Sequence, residues 1–392
     1  MRLLHTADWH LGRTLEGRSR HQEQVDVLTE ICQIAEDEQV DAVLMAGDVF
    51  DTVNPPAESE TLFYETVKRL SADGERPVLI ISGNHDSPAR LQAARPLAAI
   101  HGVELIGQPV PQPVQIPVRT GEVLVLSPVP YPSESRLNEC LSQLNDDRVL
   151  QTAYNERVSY LFHEHAHTFR EDTVNIVMSH LFMAGGSESD SERPIQVGGA
   201  YTVTSDALPG VAQYTALGHL HRPQTIRKDE QPVRYAGSPL AYSFSEAHQP
   251  KSVTMIDVVP GGSAEWKEVY LSSGKPLVKW QATGGMDDVY RWLEEGRDAN
   301  AWIDLEVTVT ESPSIQEIQN IRRWHQGIVH IRPVFVGNQV PMDDDTVNPE
   351  QLPLDDIFKR FYKKQTGGGE PDEALTELFL ELVHETDEDH HD

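Results

Sequence analysis

Arg2-Leu3-Leu4-His5-Thr6-Ala7-Asp8-Trp9-His10 opens with an apolar run that ends in two candidate ligands, Asp8 and His10. The next apolar run, Val43-Leu44-Met45-Ala46, ends the same way, in Gly47-Asp48. The pattern recurs at Gly83-Asn84-His85-Asp86, at Ser179-His180 and at Gly218-His219-Leu220-His221. Short apolar runs alternating with helical periodicity predict an α/β sheet, and each polar cluster falls just beyond a strand. Open α/β sheets bind ligands outside the carboxyl ends of their strands. Side chains two apart in extended chain point the same way, so Asp8 pairs with His10 and His219 with His221. Glycines before Asp48, Asn84 and His219 permit the tight turns that would gather these groups.

Working outward, the same reading predicts strands at 2–6, 41–46, 77–82, 122–127, 174–179 and 214–217, with further strands at 233–236 and 252–258. Helices are predicted at 20–39, 57–72, 89–100 and 147–171, and a mobile loop rich in Gly, Ser and acid at 183–202. Beyond Pro276 the segments 277–281, 286–295, 301–309, 315–325 and 329–336 read strand–helix–strand–helix–strand, a small second α/β unit. A Pro/Asp-rich link at 340–349 leads to two amphipathic helices. Leu354, Ile357, Phe358, Phe361 and Tyr362 form one apolar stripe; Leu375, Leu378, Phe379, Leu382 and Val383 form the other. The expected division is 1–272, 276–338 and 350–392.

The 392 residues carry 32 Lys+Arg against 62 Asp+Glu, a formal net charge of −30. Ten of those carboxylates lie in 370–392, which has no Lys or Arg. On charge alone, the acidic surface argues against broad nucleic-acid binding. No apolar run approaches the ~18 residues of a membrane span. Cys32 and Cys140 are too few for a disulfide framework or a thiolate zinc site. Ser273-Gly274-Lys275-Pro276 lacks the upstream glycine and the hydroxyl of a P-loop. A soluble, cytoplasmic protein is expected.

Asp8, His10, Asp48, Asn84, His180, His219 and His221 offer carboxylate, amide and imidazole donors and no sulfur. Such a set suits Mn²⁺ or a similar divalent ion such as Mg²⁺, and it exceeds what one ion needs. A shared carboxylate would hold two ions, the clamp for in-line displacement at phosphorus. His5, His101, His163, His165, His167 and His325 lack the strand-end glycine context. Of these, His163, His165 and His167 read as surface residues of a helix, and His384, His390 and His391 as solvated among carboxylates. Cys32 reads as a core filler on an amphipathic helix.

In order, Asp8-Trp9-His10, Gly47-Asp48-Val49-Phe50-Asp51, Gly83-Asn84-His85-Asp86 and Gly218-His219-Leu220-His221 resemble the motifs of the calcineurin-like metallophosphoesterase superfamily. His5–Gly12, Ala46–Thr52, Gly83–Ser87, Ala216–His221 and Tyr235-Ala236-Gly237-Ser238-Pro239 resemble, within it, the SbcD family of nuclease subunits. The motifs carry this likeness to about residue 270, and domain order carries it further. The resemblance implies two β-sheets flanked by helices, a small α/β capping domain and C-terminal partner-binding helices.

It also implies one ion held by Asp8, His10, Asp48 and His221, and another by Asp48, Asn84, His180 and His219, with Asp48 bridging. His85 would be a general acid or transition-state stabiliser. The archaeal and eukaryotic relatives place a histidine near the position of Asp51, so any role of that carboxylate in orienting His85 is open. The implied partners are a coiled-coil SbcC-type ATPase, DNA double-strand ends and hairpins, and a second copy of the chain meeting it through 57–72 and 89–100. Arg13, Arg18, Arg20, Arg90, Arg95 and Arg222 make the motif surroundings less acidic than the chain. The competing readings are a small-molecule phosphodiesterase or phosphatase on the same metals, and a non-catalytic scaffold for an ATPase.

Overall fold

The computed structural model describes residues 1–137, 147–193, 201–227, 231–335, 353–365, 371–372 and 375–381. They divide into two compact units, Met1–Lys275 and Pro276–Asp392.

In the first unit, alternation along the opening strand separates two cores. Leu3 packs with Leu44, Leu79, Leu124, Ile176 and Tyr214 between two sheets. Leu4, one residue on, packs with Val43, Met45 and Ile80 against Val27, Ile31, Phe63 and Val67. Those last four lie on the helices His21–Asp37 and Ala57–Ser71. The first sheet has the strand order Glu265–Tyr270, Ser252–Asp257, Arg2–Thr6, Ala42–Met45, Val78–Ile81, Val103–Ile106. Its last four strands run parallel and the first two are antiparallel additions. The second sheet runs Gln224–Arg227, Val233–Tyr235, Tyr214–Gly218, Val174–His180, Val123–Val129, Val114–Pro117. Its central four are parallel, and its outer face packs Val177, Leu217 and Tyr235 on Tyr154, Val158 and Phe162. Two sheets flanked by helices are the result, and the clusters read from the sequence lie at the carboxyl ends of Arg2–Thr6, Ala42–Met45, Val78–Ile81, Val174–His180 and Tyr214–Gly218.

The second unit is a parallel sheet of Leu277–Ala282, Trp302–Val309 and Ile328–Phe335, with the helices Met286–Glu294 and Ile315–Trp324 in the connections. Ile303, Leu305 and Val307 alternate into a core with Trp280, Val289, Leu293 and Ile321. Ser314 and Glu317 form a reciprocal cap that starts the second helix. A further helix covers Leu354–Gln365, and residues 375–381 are helical. The rings of Phe358 and Phe379 stack with centroids 4.1 Å apart. The link at 340–349, Cys140, Leu382, Val383 and the tail histidines lie outside the described residues.

Four expectations change. The single helix at 89–100 is instead Pro88–Ala93, Arg95–Ala98 and a 3₁₀ turn at Ala99–His101. Pro96, which has no N–H to donate, sits in the first turn of the second piece. Strands at Val103–Ile106, Val114–Pro117, Gln224–Arg227 and Glu265–Tyr270 went unpredicted; all are sheet edges. The segment 183–202 is not simply a mobile loop: Phe182–Met183 pairs with Thr202–Val203, and Ser191 and Glu192 are buried. His165 is buried as well, its Nδ1 2.8 Å from Ser127 Oγ and its Nε2 2.9 Å from the Val110 carbonyl oxygen.

Candidate metal centre

The loops that carry the polar clusters are tied to one another before any side chain is considered. The Asp8 N–H donates to Gly47 O (3.0 Å), His10 to Asp48 O (3.0 Å) and Leu11 to Val49 O (2.9 Å). The buried Asp86 carboxylate then joins the second loop to the third, accepting from Val49 N (3.1 Å), Phe50 N (3.0 Å) and Gly83 N (2.8 Å). Burial and the nearby Asp48 charge push Asp86 up to about 6. A Cβ on Gly83 would lie 2.0 Å from Asp48 Oδ1, so only glycine lets the two loops approach this closely. Asp8, His10, Asp48 and His219 all have positive φ, at 55°, 45°, 53° and 108°. Asp and His are among the residues that tolerate this region best, and such strain concentrates at functional sites.

All eight residues singled out from the sequence come together. Ligand atoms of Asp8, His10 and His221 lie within 4.8 Å of one another, and so do those of Asp8, Asp48 and His180. Asp48 stands between the groups, with Oδ2 3.6 Å from His10 Nε2 and 3.5 Å from His180 Nε2. Its Oδ1 accepts the His85 backbone N–H at 2.9 Å. Asn84 Oδ1 lies 2.9 Å from His180 Nε2, and the His219 ring lies 5.5 Å from that of His180. Asp8 accepts the His219 backbone N–H at 3.0 Å.

His85 occupies a different position. Its Nδ1 donates to the Asp51 carbonyl oxygen at 2.8 Å, and its side chain is 12% exposed. The Asp51 carboxylate faces His10 Nδ1 at 3.4 Å, Arg13 Nη1 at 3.6 Å and His85 Nδ1 at 4.0 Å.

Several observations fit divalent cations. Asp8 and Asp48 are buried, and the ion pairs they make are with histidines. Burial, reinforced by Asp48, holds the Asp8 carboxyl well above the usual range. Burial also opposes the charge on Asp48, but His180 and His10 bring that carboxyl well below it. His180 is pushed up to about 9: burial opposes its charge, and the Asp48 and Asp8 carboxylates outweigh burial. Burial lowers His10 to about 3, so it stays a neutral donor. Among the described residues, the buried His219 Nε2 has no hydrogen-bond partner. His10 Nε2 and His221 Nε2 face each other at 3.0 Å. Two nitrogens each ~2.1 Å from one ion and at right angles to each other would be about 3.0 Å apart.

Sequence reasoning missed the supports of these residues. Tyr242 lies edge-on to His10 and His221, with centroids 5.4 Å and 5.7 Å away, and donates its hydroxyl to the Trp9 carbonyl oxygen. Arg136 donates to Asp86 O, Ser82 Oγ and Tyr131 O. Ser191, Glu192, Glu246 and Lys251 surround His221. None belongs to a local motif, and only Gly-Ser-Pro at Gly237–Pro239 marked this neighbourhood.

A family model described as calcineurin-like phosphoesterase matches residues 1–223, and one described as Type 5 capsule protein repressor C-terminal domain matches 273–366. The SbcD subunit of the SbcCD nuclease of Bacillus subtilis (strain 168) is 54% identical over 390 residues, covering 99% of each chain. The protein of the same name from Escherichia coli (strain K12) is 29% identical over 98% of each chain. That from Rhodobacter capsulatus is 34% identical over 72% of each.

Proposed function

We propose, for a chain that belongs to the calcineurin-like phosphoesterases and within them to the SbcD nuclease subunits, that it hydrolyses DNA phosphodiesters at double-strand ends and hairpins. Its partner in this reading is an SbcC-type coiled-coil ATPase. Two divalent ions, Mn²⁺ foremost, are held by Asp8, His10, Asp48 and His221 on one side and by Asp48, Asn84, His180 and His219 on the other. The observation that carries this reading is the convergence of seven donors, two of them buried carboxylates that no Lys or Arg neutralises in the ion pairs described.

When bound, such ions activate water and neutralise the charge that develops at phosphorus. The chain's own residues do the rest. Asp48 sets the spacing of the two ligand groups. Asp86 holds the loops of Asp48 and Asn84 together. His85, fixed through Nδ1 by the Asp51 carbonyl, presents Nε2 to the scissile phosphate, to stabilise its charge or protonate the leaving oxygen.

The reading extends to the three-part division 1–272, 276–338 and 350–392. In it, the C-terminal helices dock the ATPase, supported by exposed Leu354, Phe361 and Leu378. A second copy meets the chain through 57–72 and 89–100, supported by exposed Tyr64, Leu97 and Ile100. It works in the cytoplasm, where DNA and ATP are found. The test is cleavage of end-labelled duplex DNA with Mn²⁺, with and without an SbcC-type partner. Metal-dependent shortening of the labelled strand is expected. Hydrolysis of small phosphate esters with no cleavage of DNA under either condition would overturn the reading.

A further inference from the structure

A buried polar network grips His221 without adding a ligand to the centre. Ser191 Oγ lies 2.6 Å from His221 Nδ1 and 2.6 Å from Glu246 Oε1. Glu246 Oε1 also accepts the N–H groups of Tyr242 (3.0 Å) and Ser243 (3.1 Å), and Oε2 pairs with Lys251 Nζ. Lys251 in turn donates to the His221 carbonyl oxygen at 2.9 Å. Glu192 Oε1 accepts the His221 backbone N–H at 2.8 Å. All of these side chains are buried.

The proton inventory decides the geometry. A carboxylate paired with an ammonium only accepts, so the one hydroxyl proton of Ser191 points at Glu246. Turned elsewhere, it would leave two oxygen lone pairs facing each other at 2.6 Å. Ser189 Oγ, 2.9 Å from Ser191 Oγ, has committed its own proton to Glu192 Oε2 at 2.6 Å. The Ser191 oxygen must therefore accept from His221 Nδ1–H. The proton sits on Nδ1, and the lone pair sits on Nε2, the atom that faces His10. Which ring nitrogen of a histidine can ligate is set by the bond that the other one makes.

We propose that Ser191, Glu246 and Lys251 are positioning residues of this nuclease: the chain Lys251–Glu246–Ser191 fixes the tautomer and the aim of His221 toward its ion. This inference rests on the reading of the centre as a metal site. Partners of this kind typically contribute ~10–100-fold to metal affinity or activity.

The test uses the full chain stripped of metal. Calorimetric titration with Mn²⁺ should show, for Ser191→Ala, one of the two binding events weakened ~10–100-fold and the other unchanged. Ser191→Thr keeps the hydroxyl and should restore it. The Mn²⁺ concentration for half-maximal nuclease activity should rise by the same factor in Ser191→Ala, with kcat recovered at saturating metal. Histidine ¹⁵N spectra of the metal-free chain should show His221 protonated at Nδ1 in the wild type and a tautomer mixture in Ser191→Ala. Wild-type affinity at both sites in Ser191→Ala, or equal weakening of both with an unshifted tautomer, would overturn the proposal. A wild-type chain that binds no Mn²⁺ would instead overturn the metal reading and this inference with it.

Discussion

The parallel strands Arg2–Thr6, Ala42–Met45 and Val78–Ile81 and the parallel strands Leu277–Ala282, Trp302–Val309 and Ile328–Phe335 share a βαβαβ connectivity, yet they treat buried acid in opposite ways. In the second unit Asp304, 3% exposed, is paired with Arg332 on the next strand and lies 3.7 Å from His330 Nδ1. The chain neutralises that charge itself. In the first unit, among the described residues, Asp8 and Asp48 meet only histidines in their ion pairs, and those histidines are candidate ligands. A buried charge persists only when paired or coordinated. Connectivity alone therefore says nothing about chemistry. The residues placed just past the strand ends decide whether a sheet closes its own electrostatics or leaves them to a cation.

The sharpest way to break this contrast is to neutralise one acid in each unit. Asp48→Asn should lose both ions and all cleavage, because a neutral amide cannot hold two dications together. Two ions retained in elemental analysis would remove Asp48 from the bridging position. Asp304→Asn should keep both ions and full nuclease activity, and cost only about 1–3 kcal/mol in chemical denaturation.

A smaller effect separates binding from chemistry within the first unit. His85→Ala should retain both ions, its fold and its partner while cutting DNA at least ~100-fold more slowly. Near wild-type rates would exclude His85 from the mechanism, and loss of an ion would make it a ligand.

Removing 352–392 tests the second unit's contribution. Metal content and Mn²⁺-dependent cleavage of short duplexes should survive, and co-purification with the ATPase should disappear. Collapse of the fold would mean that the apolar stripes serve the chain's own core.

The smallest effect concerns Cys32, which burial pushes up to about 11. Its folded state holds a proton that the unfolded thiol releases, so it lowers stability as pH rises from ~8.5, the unfolded value, toward about 11. Cys32→Ala should flatten that alkaline loss in thermal melts. In a Cys140→Ser background, alkylation of Cys32 reports opening of the first unit alone. Adding Mn²⁺ should slow it, and an unchanged rate would mean that the ions contribute nothing to that unit's stability.

The legible part of the molecule was the part encoded locally. An apolar run followed by a short cluster of Asp, Asn or His places a candidate ligand at a strand end, and the five such runs needed no knowledge of what lay opposite. The small βαβαβ unit was legible for the same reason, through the alternation of Ile303, Leu305 and Val307. Edge strands were not. Glu265-Trp266-Lys267-Glu268-Val269-Tyr270 pairs on one side only and carries charge where a central strand would be apolar. His165 looked solvated because its partners, Ser127 and Val110, lie 38 and 55 residues away. Ser191 and Glu246, also 55 apart, meet only through the packing of the second sheet's loops. A serine in a Gly/Ser-rich stretch gives no sign that its hydroxyl will be buried.

The left-handed backbone at Asp8, His10, Asp48 and His219 restricts how this centre can be re-engineered. Glycine would relax each position and delete its donor. Threonine, glutamate and other bulkier substitutes would add a conformational penalty to any change in donor type. The positions admit little beyond Asp, Asn and His, which are both metal donors and the side chains most at ease at positive φ. A search for variants with altered metal preference should therefore leave these four alone and diversify Asn84 and His180, where the backbone imposes no such filter.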